Sequence, residues 1–312
     1  MHATLAVVIP CFNVQNHIEK VILGIPNDIK WIIAVNDCST DGTAALLDRL
    51  SLENPKILCI HHPKNRGVGG AMLSGYAKAL ELNADIVIKM DGDGQMDPAY
   101  IPALVKPLLA NRADFTKGNR FRDFRALRAM PIGRRIGNLG LSFIIKAASG
   151  YWNIFDPTNG FTAIRGETLE ALDKSHIHKG FYFETSMLQE LYFVNAVVVD
   201  VPMKARYQDE VSSLSPVKIL FEFPPKLFLA FFRRIILKYF LIDFTVASLY
   251  IMTGLPLLLF GLHFGITNFI RYASAHIPAP TGTVIIPTLL IILGFQLLLA
   301  AISYDIDNYP KR

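Results

Sequence analysis

Two stretches near the carboxyl end, Phe244 to Leu262 and Thr283 to Tyr304, contain no charged side chain. Each is long enough to cross the roughly 30 Å hydrocarbon core of a bilayer, where a backbone exposed to lipid has to satisfy its own hydrogen bonds as a helix. The chain therefore divides. Up to about Val211, charged residues are interspersed with apolar ones in the manner of a water-soluble domain. Beyond it, two transmembrane helices are expected at about 244–265 and 283–304.

Basic residues orient such an anchor. Lys226, Arg233, Arg234 and Lys238 precede the first span and Lys311 and Arg312 follow the second, while Gly265 to Gly282 carries only Arg271. The positive-inside rule then places both termini and the amino-terminal domain in the cytoplasm. Met1 to Pro10 lacks the basic region and the length of a signal peptide, which agrees. Between domain and anchor, Pro216 to Phe240 is apolar but studded with Lys and Arg. A helix predicted to start at Pro224-Pro225 would set Phe228, Phe231, Phe232 and Ile235 against Arg233, Arg234 and Lys238. That pattern suits a helix lying in the headgroup layer, because a core helix would have to bury its cations. The expected division is 1–212 for the cytoplasmic domain, 213–242 for juxtamembrane interfacial helices and 243–312 for the two-helix anchor.

The formal net charge of +5 suits anionic lipid or phosphate substrates. It does not imply nucleic acid, because the fold signals are not those of a nucleic-acid binder. Cys11, Cys38 and Cys59 are odd in number and lack Cys-x-x-Cys spacing, so neither a disulfide framework nor a zinc site is expected.

The first half alternates strand-like and helix-like segments. Leu5 to Pro10, Trp31 to Asn36, Lys56 to Ile60, Ala84 to Met90 and Asp114 to Gly118 read as strands. Helical patterns lie near His17 to Leu23, Thr43 to Leu52, Gly70 to Leu82 and Pro98 to Ala110. This β-α-β alternation predicts an α/β fold with a mostly parallel sheet and helices on both faces. Further helices are expected near Ile136 to Ala148 and Glu184 to Phe193, a turn at Asp156 to Phe161, and a last strand at Ala196 to Pro202.

Ligands in open α/β sheets bind beyond the carboxyl ends of the strands. Three polar blocks fall there: Pro10-Cys11-Phe12-Asn13, Asn36-Asp37-Cys38-Ser39-Thr40-Asp41-Gly42-Thr43, and Asp91-Gly92-Asp93-Gly94-Gln95. Two carboxylates one residue apart repel each other unless a cation holds both ionised, and hard divalent cations favour oxygen ligands. Mg²⁺ or Mn²⁺ bridging a diphosphate is one reading; a solvated Asp-Gly turn before a helix at Pro98 is the other. Asn65-Arg66-Gly67-Val68-Gly69-Gly70 is neither a dinucleotide fingerprint nor a P-loop, because its spacing and its place after the third strand are wrong. Its glycines serve either close approach to a nucleotide or close helix packing.

In the order and spacing of these blocks the chain resembles glycosyltransferase family 2 from about Leu5 to Ser215. These are inverting enzymes with a GT-A fold, a Rossmann-like domain, and the resemblance is to their polyisoprenyl-phosphate subgroup. It implies nucleotide contacts from Pro10, Phe12, Asn13 and Asp37. It implies a metal held by Asp93 and Gln95, with Asp91 supporting the ribose or the metal shell. Gly118-Asn119-Arg120 and Arg134-Arg135-Ile136-Gly137-Asn138 match blocks that face an acceptor phosphate, so Arg120, Arg134, Arg135 and Asn138 are candidates there. Asp156 to Phe161 matches an Asp-x-x-x-Gly-Phe turn, and Arg206 an arginine over the donor diphosphate. The chain departs from the family pattern at Val14, where Glu is usual, and at Val211 to Leu214, where Gly-x-Ser-Lys is usual.

The mechanism so implied neutralises a leaving diphosphate with Asp93, Gln95, a Mg²⁺ or Mn²⁺ ion and Arg206. A lipid-phosphate acceptor is already an anion and needs steering cations rather than a strong base. Arg120, Arg122, Arg125, Arg128, Arg134 and Arg135 supply them. If the acceptor were a lipid or glycan hydroxyl, Glu184 would be the general base; its other reading is a helix-start acid favoured by the helix dipole. The partners expected are a nucleotide sugar, a polyprenyl phosphate and the membrane, and anchored enzymes of this kind often self-associate. A processive synthase is disfavoured because no Gln-x-x-Arg-Trp block occurs. A catalytically silent membrane scaffold is the alternative from another class.

Overall fold

The computed structural model of the chain describes residues 3–120, 132–204 and 216–312, with the side chains of 132–139 and 216–222 outside the description. It contains two compact units, one built mainly from residues 1–231 and the other from residues 232–309.

The first unit is a seven-stranded sheet between helices. Its strands are β1 (Leu5–Cys11), β2 (Trp31–Asn36), β3 (Ile57–His61), β4 (Ile86–Lys89), β5 (Phe115–Asn119), β6 (Thr162–Arg165) and β7 (Val198–Pro202), in the order β3-β2-β1-β4-β6-β5-β7. The β1–β2, β2–β3, β1–β4 and β5–β7 pairs are parallel, and β6 runs antiparallel to both β4 and β5. All strands except β6 therefore point their carboxyl ends to one edge, and the segment leading into β6 arrives at that same edge.

Successive side chains of a strand point to opposite faces, so a strand covered on both sides must be apolar throughout. In β1, Val7, Ile9 and Cys11 join a core with Ile18, Ile22, Leu47 and Leu104. Ala6 and Val8 join the opposite core with Met72, Tyr76, Met187 and Leu191. One layer thus holds α1 (Ile18–Leu23), α2 (Thr43–Glu53) and α4 (Ile101–Leu109). The other holds α3 (Val68–Glu81), and, after α5 (Ile132–Ser149), α6 (Gly166–Ala171) and α7 (Phe183–Phe193).

The four-residue β6 was not anticipated, because only Ala163 and Ile164 in it are apolar, whereas the equally short β4 sits in the longer apolar run Ala84 to Met90. The helix expected from Pro98 begins instead as a 3-10 turn, Pro98–Tyr100, in which Asp97 accepts a bond from the Ala99 N–H at 3.1 Å. Helix α8 (Pro216–Ile236) runs through Pro224 and Pro225 rather than starting there. The two missing N–H groups forfeit their bonds to carbonyls one turn back. Phe223 and Leu227 of α8 pack on Ile145 and Ala148 of α5 and on Tyr182.

In the second unit, α9 (Val246–Ser274) and α10 (Thr281–Asp307) form a hairpin, and both are long and apolar enough to cross a membrane. The connection is shorter than the uncharged runs implied, because α9 continues to Ser274 through a polar last turn. The helices touch backbone to backbone: a Cβ on Gly294 would lie 2.6 Å from the Leu258 nitrogen and 2.8 Å from the Gly254 carbonyl. Such small-residue contacts substitute for a hydrophobic drive that lipid does not supply.

One expectation is corrected here. Arg234 does not reach toward headgroups; it is 1% exposed. Its guanidinium forks onto Asp305 at 2.6 and 2.8 Å, and the Tyr239 hydroxyl donates to the same carboxylate at 2.5 Å. A buried cation is tolerable when a carboxylate matches its planar fork, and Asp305, just past the apolar run of α10, provides one.

Candidate active site

The carboxyl edge is assembled by three loops that hydrogen-bond one another. After β1, Asn13 adopts a left-handed backbone with φ 54° and accepts the Thr40 N–H at 2.8 Å, while its own N–H donates to the Ser39 hydroxyl at 3.0 Å. The Gln15 N–H donates to Asp41, and the Gln15 side-chain oxygen accepts from Gly42 at 2.6 Å. Asp41 also accepts from the Thr43 N–H at 3.0 Å, at the start of α2. The Ser39 to Thr43 block is thus both a helix start and a latch on the first loop. Phe12 stands 49% exposed at this edge, beside half-buried Pro10.

Asp37 is buried, and its carboxylate is occupied. It lies 2.7 Å from His62 Nδ1 and accepts the backbone N–H groups of Arg66 at 2.9 Å and Gly67 at 2.7 Å. His62 Nε2 in turn lies 2.9 Å from the Ser74 hydroxyl. Asp37 therefore shapes the glycine-rich segment that follows β3. That segment packs against the chain itself: a Cβ on Gly67 would lie 2.6 Å from the Lys179 carbonyl, and one on Gly69 would overlap the His178 carbonyl. Gly67, at φ +79°, also holds a backbone conformation that side chains disfavour. Of the two uses open to these glycines, close packing is the one observed.

At the end of β4 a buried lysine organises the acidic block. Lys89 is 1% exposed; its ammonium lies 2.6 Å from Asp91 Oδ1 and 3.4 Å from Glu184 Oε1 at the start of α7. Burial pushes the lysine down, but Asp91 and Glu184 outweigh it and hold Lys89 above its ordinary range. Gly160 seals this pair from above, since a Cβ there would meet Lys89 Nζ at 2.5 Å. A side chain at this glycine of the Asp156 to Phe161 turn would crowd the ion pair beneath it.

Asp93 is half-buried, accepts the Gln95 N–H at 2.9 Å across a turn in which Gly94 has φ +78°, and leaves Gln95 exposed. A carboxylate and an amide oxygen are hard donors that fit Mg²⁺ or Mn²⁺. Asp91 fits less well, because Lys89 takes one of its oxygens. Among the described residues no group of three His, Cys, Asp or Glu side chains forms a metal cluster.

On the other side of β6 stands a second buried lysine, Lys117. Lys89 and Lys117 each stand in register with Thr162, so the three form a row across β4, β6 and β5. Lys117 is fully buried and donates to the Asn159 carbonyl. Burial lowers its pKa to about 8, against the pull of Asp156, Glu184 and Asp200. Asp156 is fully buried and binds Arg120 three times, through the backbone N–H at 3.2 Å, Nε at 2.8 Å and Nη2 at 3.1 Å. Arg120 is thereby aimed by the turn that Lys117 holds.

Arg134, Arg135 and Asn138 fall on α5, with their side chains outside the description. Arg206, Arg122, Arg125, Arg128 and Val211 to Leu214 lie outside the described residues. The residues missed from sequence are Lys89, Lys117 and His62. A lysine inside Ile86-Val87-Ile88-Lys89-Met90 was the available signal, because a buried cation demands a carboxylate.

The family model described as Glycosyl transferase family 2 matches residues 6–173. A UDP-N-acetylglucosamine–dolichyl-phosphate N-acetylglucosaminyltransferase of Methanococcus voltae is 32% identical over 180 residues, which are 54% of this chain and 71% of the relative. The polyprenol monophosphomannose synthase of Mycolicibacterium smegmatis is 28% identical over 201 residues, 63% of this chain and 75% of the relative. A mycobacterial protein of known crystal structure shares the fold at a TM-score of 0.53 and 20% identity, over 68% of this chain and 69% of its own.

Proposed function

Because the chain belongs to glycosyl transferase family 2, we propose that this glycosyltransferase moves a sugar, with inversion, from a UDP- or GDP-linked donor to a polyprenyl or dolichyl phosphate. The names of its relatives supply that acceptor class. The reaction takes place at the cytoplasmic face of a membrane that α9 and α10 cross, with Arg134, Arg135, Asn138 and Arg206 serving the two phosphates.

The observation that carries the choice of acceptor is the ion pair between Lys89 and Glu184. A carboxylate oxygen 3.4 Å from a buried ammonium serves as that cation's partner rather than standing open to a substrate hydroxyl. A hydroxyl acceptor would need that base; a phosphate would not. An oxygen of the acceptor phosphate attacks the anomeric carbon as the bond to the donor diphosphate breaks, and the nucleoside diphosphate departs. No proton has to be removed from the nucleophile.

The side chains divide this work. Asp37, through Arg66 and Gly67, fixes the segment at the end of β3 against which a nucleoside rests, with Pro10, Phe12 and Asn13 beside it. Asp91, held by Lys89, supports the ribose. Asp93 and Gln95 would hold Mg²⁺ or Mn²⁺, which would supply charge neutralisation to the leaving diphosphate. Arg120, aimed by Asp156, presents a fixed cation to the acceptor phosphate.

The test is to incubate membranes carrying the full chain with a panel of nucleotide sugars and polyprenyl phosphate, with and without EDTA, and to seek a glycolipid by mass spectrometry. A polyprenyl-phosphate sugar that disappears with EDTA and with Asp93→Ala is the expected result. Undiminished product from Asp93→Ala would overturn the mechanism.

A further inference from the structure

His62 has no part in the transfer step, yet it is 7% exposed and stands at the centre of a polar chain drawn from three elements. Its Nδ1 lies 2.7 Å from Asp37 Oδ1 after β2, and its Nε2 lies 2.9 Å from the Ser74 hydroxyl on α3. A carboxylate oxygen only accepts, so Nδ1 carries the ring proton, and in the neutral ring Nε2 accepts from Ser74. The imidazole is thus held at both nitrogens.

The bonds to Asp37 fall unevenly on its two oxygens. Oδ1 accepts from His62 and from the Arg66 N–H at 2.9 Å, whereas Oδ2 accepts from the Gly67 N–H alone among the described residues, at 2.7 Å. A carboxylate has about four acceptor positions, two on each oxygen, so the one left open is on Oδ2. Position along the sheet edge decides which part of a nucleotide meets it. With β1 between β2 and β4, Asp37 stands about 10 Å from the acidic block assigned to the ribose and diphosphate, which leaves the base for Asp37. The pairing edge of uracil offers one N–H between two carbonyl oxygens. That of guanine offers two donors side by side, and a carboxylate receives both only by using both of its oxygens.

We propose that His62, steadied by Ser74, is a positioning residue that sets donor specificity: by filling Oδ1 of Asp37 it leaves one acceptor, which suits a uridine nucleotide and turns away a guanosine nucleotide. The donor is then UDP-linked rather than GDP-linked, which rests on the reading of the chain as a nucleotide-sugar transferase.

Isothermal titration of the full-length protein in detergent with UDP and with GDP, each with Mn²⁺, tests this. The wild type should bind UDP at least about ten-fold more tightly than GDP, because the second guanine donor is left unpaired. N3-methyl-UDP, which lacks the uracil N–H, should bind at least about ten-fold more weakly than UDP. The amide of His62→Gln reaches toward Ser74 and frees Oδ1, so it should narrow the preference for UDP by about five-fold. His62→Asn, whose shorter amide can still donate to Oδ1, should keep most of it. GDP bound as tightly as UDP by the wild type overturns the proposal, and so does a preference unchanged in a folded His62→Gln protein. If the variants misfold, UDP, N3-methyl-UDP and GDP compared on the wild type decide. Binding of neither UDP nor GDP overturns the transferase reading itself, and the proposal falls with it.

Discussion

The Lys89 ammonium lies 2.6 Å from Asp91 in a position 1% exposed, so the acid that opens the Asp-x-Asp block is held from below by a cation of its own strand. A second carboxylate, Glu184, faces the same ammonium at 3.4 Å. Removing the cation strands two acids around one dry point, and losing one partner of a buried pair costs about 3–5 kcal/mol. Lys89→Met should therefore lower the thermal midpoint of the detergent-solubilised protein sharply. Lys89→Met combined with Glu184→Gln should recover part of the loss. Additive losses in that cycle would show that the two groups do not interact.

The same pair sets the expectation for Glu184. With a phosphate acceptor, Glu184→Gln removes a partner of Lys89 but no proton acceptor, so turnover should fall less than about ten-fold, well short of what loss of a general base produces. Steady-state glycolipid formation measures it. Turnover that vanishes in a folded Glu184→Gln protein would favour a hydroxyl acceptor.

Lys117 has the opposite electrostatic balance. Its pKa in the folded protein, about 8, lies below the ordinary 10.5, so between these values the unfolded chain binds more protons than the folded one. Stability should then rise with pH across that window, by about 3 kcal/mol at most, and the cost of the buried charge is fully present below pH 8. Unfolding midpoints of the wild type and of Lys117→Met, taken from pH 7 to 10.5, check the sign. The rise should be missing from the variant.

Two glycines should respond in opposite directions to a methyl group. Gly69→Ala drives its Cβ into the His178 carbonyl, a backbone atom that cannot step aside, and should lose about 1–3 kcal/mol. Gly140→Ala meets nothing within 4 Å on α5 and should gain about 0.5–1 kcal/mol, because alanine surrenders less backbone freedom. Thermal unfolding of the two variants side by side decides whether the glycine-rich segment is a packing device.

Local pattern carried much of this molecule. An apolar β1 followed by Pro10 to Asn13, an acid after β2 and an acidic pair after β4 are statements about neighbours in the chain, and they were legible before any fold was known. The uncharged runs behind α9 and α10 are of the same kind, because crossing a bilayer depends on length and the absence of charge. The family resemblance rested on those blocks and on their order.

What sequence could not reveal are the pairings made across the fold. Lys89 finds Glu184, Asp37 finds His62 and the N–H groups of Arg66 and Gly67, Asp156 finds Arg120, and Arg234 finds Asp305. In each case a residue of known type could have been solvated or paired, and which it is depends on the group the chain brings back beside it. The sequence by itself determined the sheet edge, the acidic block and the apolar spans, since each follows from local hydropathy and residue type. Only the tertiary structure decided which carboxylates are occupied, because a buried charge takes its meaning from a partner far away along the chain.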